Sequence, residues 1–323
     1  MGAHILLASE ENFQKCLEHG IYGATKVSLE RVNSEVIAGM ETIRVGDFIF
    51  FYVRNRGVHG LWKATSSPFV DDGIDIWGEA GKYPYAVCFE PVVRHFPKPI
   101  ALNDIFDLRD TGKVWTFDLG MVRNKNHYPI TKDEARELTR LLLRNNPISY
   151  SPTPIPKPYA KSEAQLPIQL DTDRSGRVNF EGYLNAWFIR SFAGGGLKSL
   201  IGEYEDFLNF VPTSFNNVMD IFLTHVTNVD GIDVLHKFTC MELKTPVGTE
   251  EDLRQLVRYE DWLARKLANG DHEMVQSILV AFDFQAGALE YVRKRKRIDE
   301  KTVRLIRYRV TEDKQDIMLD EIE

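Results

Sequence analysis

The segment that decides the fold is His236-Lys-Phe-Thr-Cys-Met-Glu-Leu-Lys244, which follows the apolar run Val218-Met-Asp-Ile-Phe-Leu223. The composition of both runs is typical of buried β-strands, and we predict that they are neighbours in one sheet. Both runs nevertheless carry charged residues, Asp220 in the first and Glu242 and Lys244 in the second. Because a buried carboxylate is costly unless a metal or a partner compensates it, the pattern indicates a metal site with a catalytic role.

The predicted metal is Mg²⁺ (or Mn²⁺), since Mg²⁺ prefers oxygen ligands and keeps several of its waters. Asp220 and Glu242 can supply carboxylate oxygens, and the main-chain carbonyl of Leu243 can supply a third ligand. Strand side chains repeat every second residue, so Lys244 points to the same face as Glu242. There the lysine can orient an attacking water or stabilise the charge that builds on a phosphate.

Glu242 and Lys244 have a simpler interpretation as an exposed ion pair, because the triplet Glu-Leu-Lys is common. Its place at the end of a strand-like run, after another such run with an aspartate, favours catalysis. The predicted helix Glu250–Leu263 favours it too, since Gln255 and Tyr259 lie four residues apart on one face. The predicted catalytic residues are Asp220, Glu242, Lys244 and Gln255.

This order of residues, an aspartate, then Glu-x-Lys, then Gln-x-x-x-Tyr, resembles the PD-(D/E)xK nuclease superfamily. The string from Glu242 to Leu263 resembles the nuclease domain of the NucS/EndoMS endonuclease family, and the similarity extends over about residues 178–310. The resemblance implies a further catalytic glutamate on the first helix of the core. Glu181 is the predicted residue, with Glu203 and Glu205 as alternatives.

The interval between Asp220 and Glu242 is long for this family, which leaves Asp230 and Asp233 as alternative aspartates. We disfavour both, because the sequence of Asn228–Gly231 predicts a hairpin loop. The resemblance also implies that Tyr259 contacts nucleic acid.

Charge is unevenly distributed along the 323 residues, whose net charge of −7 is unusual for a protein that binds nucleic acid. Arg293-Lys-Arg-Lys-Arg297 is strongly basic, whereas residues 312–323 are acidic. The basic run has two interpretations, a contact with DNA and a solvated helix end. The predicted DNA contacts in this run are Arg293, Lys294 and Arg295.

The cysteines Cys16, Cys88 and Cys240 lie far apart and lack CxxC spacing, which indicates a reducing compartment without disulfides or a zinc site. Cys88 and Cys240 lie in strand-like runs, so we expect both to be buried thiols. The sequence shows neither a signal peptide nor an apolar run long enough to cross a bilayer. We therefore expect a cytoplasmic protein that does not bind membranes.

The proline-dense segment Asn146–Pro158 predicts an extended spacer between two domains. The predicted organisation is a first domain at 1–145, a Pro-rich linker at 146–177 and a second domain at 178–323. Short strands with peripheral helices in the first domain predict a small α+β barrel, closed by a helix over Lys132–Arg144 with Thr131 as its N-cap. Helices that alternate with strands in the second predict an α/β mixed sheet flanked by helices, which the resemblance makes restriction-endonuclease-like.

The first domain resembles the YTH/EVE group of PUA-like domains over about residues 3–145, through the segments His4–Thr25, Phe50–Gly60 and Asn124–Thr131. YTH-like domains hold a methylated base in an aromatic cage. The resemblance places this cage at Tyr22, Trp77 and Tyr83. The first position is tyrosine where YTH domains usually have tryptophan, so the modified base stays open.

The same resemblance implies polar contacts from Thr25 and Asn55 to the base or the backbone. It also implies phosphate contacts from Arg54, Arg56 and Lys63. An isolated tryptophan such as Trp77 is more often a core residue than a stacking platform. Several aromatic residues near predicted loops favour a pocket for a flat ring.

A base-binding domain joined to a metal-dependent nuclease predicts a restriction-type endonuclease that cuts double-stranded, modified DNA. Cutting a duplex requires two active sites, so we expect a homodimer. Two alternatives remain: a mismatch or branched-DNA repair endonuclease like NucS/EndoMS, and a non-catalytic nucleic-acid-binding protein with an inactive nuclease fold. The sequence leaves open which base is modified and whether the nucleic acid is DNA or RNA.

Overall fold

The computed structural model describes residues 2–117 and 125–322, which form two compact units divided between Pro167 and Ile168. Asn124, the first residue of one segment that resembles YTH domains, lies outside the described residues. In the described residues, no helix combines the length and the apolar character needed to cross a membrane.

The first unit is built on a curled half-barrel sheet with the strand order β2-β6-β4-β3-β1-β7, and β5 pairs with β6. Its described strands are β1 (Ala3–Ala8), β2 (Ile21–Ala24), β3 (Phe48–Val53), β4 (Gly57–Ala64), β5 (Phe69–Val70), β6 (Tyr85–Pro91) and β7 (His127–Ile130). Its described helices are α1 (Glu10–His19), α2 (Glu30–Met40), α3 (Leu102–Asp110) and α4 (Lys132–Asn145). The strand order begins at β2 and ends at β7, so the described strands form an open sheet where a small barrel was predicted.

Helix α4 shows how the local sequence sets the boundaries of this unit. Thr131 is its N-cap, and Thr131 and Glu134 form a reciprocal capping box that satisfies the first free N–H groups. Leu138 and Leu142 lie on the buried face of α4 and pack in one cluster with Phe50 and other apolar side chains of the sheet. The predicted helix and its predicted cap are therefore confirmed.

Residues 146–167 form no helix and are hydrogen-bonded to the rest of the first unit. The main-chain N–H groups of Lys157 and Tyr159 donate to the carbonyls of Glu18 and His19, at 3.1 and 2.9 Å. The N–H of Val70 donates to the carbonyl of Ala164 at 2.9 Å. The predicted domain limits at 145 and 178 stay a prediction.

The second unit is built on a mixed sheet with the strand order β13-β12-β11-β10-β9-β8. Its described strands are β8 (Asp206–Pro212), β9 (Val218–Val229), β10 (Ile232–Gly248), β11 (Val275–Phe284), β12 (Val303–Val310) and β13 (Ile317–Ile322). Its described helices are α5 (Glu181–Ala193), α6 (Lys198–Ile201), α7 (Glu250–Leu267) and α8 (Ala286–Asp299). Strands β10, β11 and β12 run parallel, and the other neighbours are antiparallel.

The apolar runs around Asp220 and Glu242 form the neighbouring strands β9 and β10, as predicted, and each strand extends beyond the predicted bounds. They are joined by a tight turn at Asp230 and Gly231, whose φ angles of 50° and 89° suit a two-residue hairpin. Asp230 and Asp233 are both exposed, and Asp233 lies in β10 beyond the predicted loop. Neither aspartate is buried beside Glu242.

Candidate active site

The candidate active site lies where strands β9 and β10 separate. The registered pairing of these strands ends at Ile221 and Met241, which are the chain neighbours of Asp220 and Glu242. On their outer sides both strands continue, β9 beside β8 and β10 beside β11.

Asp220 joins the two strands across this opening. Its Oδ2 atom accepts a hydrogen bond of 2.7 Å from the main-chain N–H of Leu243 on β10. A side chain of β9 thus takes the place of strand pairing and lies beside Glu242, the residue before Leu243. The proposed metal ligation by the carbonyl of Leu243 stays a prediction.

Glu242 is the most constrained residue of the site, with only 2% of its surface exposed. Its Oε1 atom accepts hydrogen bonds from Lys244 Nζ at 2.7 Å and from Gln255 Nε2 at 2.8 Å. Its Oε2 atom is buried and has no hydrogen-bond partner among the described residues. Buried polar atoms are rarely left unpaired, and this oxygen is able to accept a further ligand such as a cation.

The charges of the site are strongly coupled. Burial raises the pKa of Glu242 to about 7, although the ammonium of Lys244 opposes the shift. Burial disfavours the charged form of Lys244, but the carboxylates of Glu242, Asp220 and Glu181 outweigh it and raise the pKa of this lysine. Lys244 therefore remains a cation at neutral pH, whereas Glu242 lies near the midpoint of its titration.

Helix α7 supplies two further side chains to the site. A capping box between Thr249 and Asp252 fixes its first turn. Gln255 Nε2, which holds Glu242, lies 2.7 Å from the hydroxyl of Tyr259, and that hydroxyl donates to the carbonyl of Val218 at 3.0 Å. The four predicted catalytic residues and Tyr259 are thus brought together.

Tyr259 lies in the interior, whereas the predicted contact with nucleic acid requires an exposed side chain. It is fully buried, and its ring stacks on Phe215 at a centroid distance of 5.8 Å. Burial and the charge of Glu242 raise the pKa of its hydroxyl. Tyr259 anchors β9 to α7, because its hydroxyl is held between Gln255 and the carbonyl of Val218.

Among the three predicted helix glutamates, the electrostatics favour Glu181. It is the first residue of α5, and its charge raises the pKa of both Glu242 and Lys244. Glu203 is exposed and pairs with Lys198 at 2.6 Å. The main-chain N–H of Glu205 donates to the carbonyl of Thr224. The role of Glu181 stays a prediction.

Asn185 is a site residue that the sequence analysis missed. It is buried on α5, and its Nδ2 atom donates to the main-chain carbonyl of Asp220 at 3.1 Å. Its only signal in the sequence is an amide among the apolar residues at the centre of its helix, one turn after Glu181.

The donor set fits a hard divalent cation that keeps part of its water shell. In residues 2–117 and 125–322, no three His, Cys, Asp or Glu side chains gather closely enough to hold a metal ion. If Asp220 and Glu242 are the ligands, as predicted, they would provide two carboxylates, and water or main-chain oxygens would complete the coordination. That division between protein and water suits Mg²⁺ or Mn²⁺ better than Zn²⁺.

The raised pKa of Glu242 gives the metal-free protein a characteristic pH dependence. Because the folded state holds this proton more tightly than the unfolded chain, the stability from this group is lost as pH rises from about 4.5 to about 7. Glu242→Gln removes the ionisation. Between pH 5 and pH 8 we therefore expect the free energy of unfolding of the variant to rise, relative to that of wild type, by on the order of 2 kcal/mol. Thermal unfolding in chelator across this range measures the difference, and a pH-independent difference would contradict the assignment.

The three aromatic residues of the predicted cage lie close together in the first unit. The ring of Trp77 packs edge to face on Tyr83 at a centroid distance of 5.3 Å. A Cβ atom added at Gly23 would lie 2.7 Å from the Trp77 ring, so this glycine is what leaves room for the indole. Tyr22 is only 3% exposed, and its hydroxyl donates to the carbonyl of Asn126 at 2.6 Å. Trp77 and Tyr83 thus remain partly accessible, with Tyr22 in the interior beside them.

The predicted polar contacts of the first unit lie on different elements. Arg54, Asn55 and Arg56 are exposed in the turn between β3 and β4, and Arg56 pairs with Glu10 at 3.2 Å. Thr25 follows β2 and Lys63 lies in β4, and both are partly buried. Their contacts with nucleic acid stay predictions.

The basic run of α8 divides into exposed and buried residues. Arg293 and Lys294 are exposed and suit a contact with phosphate. Arg295 is only 8% exposed, and its guanidinium makes two hydrogen bonds to Glu260. Arg295 was predicted to contact DNA, but its guanidinium lies in a buried ion pair and is already bound by a carboxylate of the same unit.

Comparisons with known proteins place the chain among remote structural neighbours. No protein-family model and no curated protein matches it. It is similar to the YTH domain of the Zygosaccharomyces rouxii MRB1 protein in complex with N6-methyladenosine RNA, at 18% identity and a TM-score of 0.28, over 46% of this chain and 90% of that chain. It is also similar to a repair endonuclease from Pyrococcus abyssi, at 14% identity and a TM-score of 0.23, over 85% and 95% of the two chains.

A third neighbour is the EndoMS-dsDNA2 complex, at 12% identity and a TM-score of 0.26, over 86% of this chain and 94% of that chain. At these identities and TM-scores, the likenesses assign neither an activity nor a substrate. The function proposed below therefore rests on the geometry of the site.

Proposed function

We propose that this protein is a metal-dependent DNA endonuclease that acts on modified double-stranded DNA. The observation that carries the proposal is the buried Oε2 atom of Glu242, unpaired among the described residues and next to a lysine, a glutamine and Asp220. A structural ion pair would satisfy both oxygens of its carboxylate.

Each side chain of the site has a distinct task in phosphodiester hydrolysis. Asp220 and Glu242 would hold the Mg²⁺ or Mn²⁺ ion, which when bound polarises the phosphate and lowers the pKa of a coordinated water. Lys244, held as a cation by the surrounding carboxylates, orients the attacking water or stabilises the negative charge that builds on the phosphate. Gln255 fixes the carboxylate of Glu242, and Tyr259 fixes the strand that carries Asp220. Cutting both strands of a duplex requires two such sites, so we propose that two copies act together.

The cluster of Trp77, Tyr83 and Tyr22 supports recognition of a flat, modified base by the first unit. Two partly exposed rings that pack edge to face, with the Trp77 ring seated against Gly23, provide a preformed surface on which a base can stack. A flipped base pays a few kcal/mol for unstacking, and stacking on aromatic rings returns about 1–3 kcal/mol per base.

Plasmid cleavage tests the proposed function directly. Matched plasmids that are unmodified, adenine-methylated, cytosine-methylated or hydroxymethylated are incubated with the protein and Mg²⁺ or Mn²⁺. We expect cutting of one modified plasmid only. Equal cutting of all plasmids would overturn the dependence on modification, and cutting confined to mismatched or flapped duplexes would favour a repair endonuclease. No cutting of any substrate would overturn the nuclease assignment.

Trp77 provides the sharpest test of base recognition. We expect Trp77→Ala to reduce the preference for the modified plasmid about 10-fold to 100-fold, because a stacking surface worth about 1–3 kcal/mol is lost. Trp77→Phe should retain part of the preference, and Trp115→Ala in the same unit should leave it unchanged. The readout is the ratio of cleavage rates on modified and unmodified DNA, and an unchanged ratio in Trp77→Ala would remove Trp77 from the cage.

A further inference from the structure

Two buried asparagines connect the first helix of the second unit to the strand that carries Asp220. Asn185 on α5 donates from Nδ2 to the main-chain carbonyl of Asp220 at 3.1 Å. Asn209 on β8 donates from its own Nδ2 to Asn185 Oδ1 at 2.8 Å. Both side chains are 1% exposed. A buried amide is costly unless it is hydrogen-bonded, and Asn185 has both ends of its amide paired, so its side chain is fixed in one orientation.

The backbone around Asp220 deviates from regular strand pairing on both sides. The register of β8 with β9 includes Asn209 and Val211, and Phe210 between them has a φ of 50°. A left-handed conformation costs a non-glycine residue about 1–2 kcal/mol and persists only where the surroundings hold it. On the other side, the pairing of β9 with β10 ends at Ile221. The ladder therefore holds both chain neighbours of Asp220, Met219 opposite Val211 and Ile221 opposite Asn209, and the contacts of the carbonyl and carboxylate of Asp220 set how its side chain is directed.

Specific hydrogen bonds hold Asp220 at this point. Asn185 binds its main-chain carbonyl, and the N–H of Leu243 binds its carboxylate. Glu181 lies one turn before Asn185 on α5, so the two side chains share a face of that helix. A movement of α5 would consequently displace Glu181 and Asp220 together.

We propose that Asn185, itself held by Asn209, is a positioning residue that sets the carboxylate of Asp220 for metal binding. The inference rests on the proposed function, because it requires that Asp220 ligates a divalent cation. Asn185 acts through Asp220 and touches neither the metal nor the DNA.

Mn²⁺ binding to the full-length protein, measured by titration calorimetry without DNA, separates positioning from stability. Asn185→Leu keeps the approximate volume and removes the amide, and we expect it to weaken Mn²⁺ binding about 10-fold to 100-fold. Thr239→Val is the matched control, because it removes another buried hydrogen bond of the same sheet, the 2.7 Å contact with His225. It should lower the unfolding temperature and leave the Mn²⁺ affinity unchanged.

Asn209→Leu provides a second variant that does not alter the residue in contact with Asp220. It should weaken Mn²⁺ binding less than Asn185→Leu does, and the double variant should lose no more affinity than Asn185→Leu alone, because both act through one contact. On DNA, kcat at a fixed Mn²⁺ concentration below saturation should fall with an unchanged KM.

The outcomes distinguish the inference from the function on which it rests. A wild-type protein that binds no Mn²⁺ overturns both. Wild-type affinity in folded Asn185→Leu overturns the positioning role and leaves the proposed nuclease intact, as would additive losses of affinity in the double variant.

Discussion

Glu242→Ala is expected to reduce metal-dependent cleavage on the order of 1,000-fold or more, while binding of DNA is retained. The substitution removes the buried Oε2 atom and also the acceptor that holds Lys244 and Gln255. Glu242→Gln keeps the shape of the side chain and loses its charge, so it should be equally inactive. Rates of plasmid cleavage and DNA affinity by fluorescence anisotropy, both with Mg²⁺, measure the two properties separately.

Glu251→Gln is the appropriate control for this experiment. Glu251 is exposed in the first turn of α7, so its loss changes the net charge by the same amount and leaves the site intact. Its cleavage rate should match wild type. Retained cutting by Glu242→Ala would remove Glu242 from the catalytic site and with it the nuclease mechanism drawn above.

Local patterns predicted much of the second unit. The apolar runs around Asp220 and Glu242 predicted two neighbouring strands, and the spacing of Gln255 and Tyr259 predicted a shared helix face. Both inferences depend on periods of 2.0 and 3.6 residues, which are properties of the backbone and hold in any fold. Thr131 was predicted as a cap for a similar reason, since its partner is only three residues away.

Residues whose roles depend on distant partners were not predictable in this way. Asn185 contacts a carbonyl 35 positions further along the chain, and nothing in its own helix indicates that contact. Tyr259 was predicted on the correct face of α7, but the packing of Phe215 against its ring, which helps to bury it, comes from another segment. Pairing in the sheet sets which polar residues become buried, and a single sequence does not contain that information directly.

The role of Arg295 also depends on a partner that is distant in the sequence, and its substitution has the largest expected effect on stability. We expect Arg295→Ala to lower the free energy of unfolding by about 3 kcal/mol. The guanidinium binds both carboxylate oxygens of Glu260 at 2.6 and 3.0 Å, and Ser277 donates to the same carboxylate at 2.8 Å. The ammonium of Lys301 lies 3.9 Å from Glu260, so it offsets part of the lost charge. Chemical denaturation of the two proteins measures the difference.

Arg293→Ala, two residues away on the exposed face of α8, separates the two roles assigned to this basic run. Its stability should stay within about 0.5 kcal/mol of wild type, whereas its DNA affinity should fall and the salt dependence of binding should weaken by about one counterion. Arg295→Ala should show the opposite pattern. A stable Arg295→Ala with weakened DNA binding would return Arg295 to the nucleic-acid interface. The basic run would then be a continuous DNA contact, one of the two interpretations of its sequence, and the ion pair with Glu260 would contribute little to the fold.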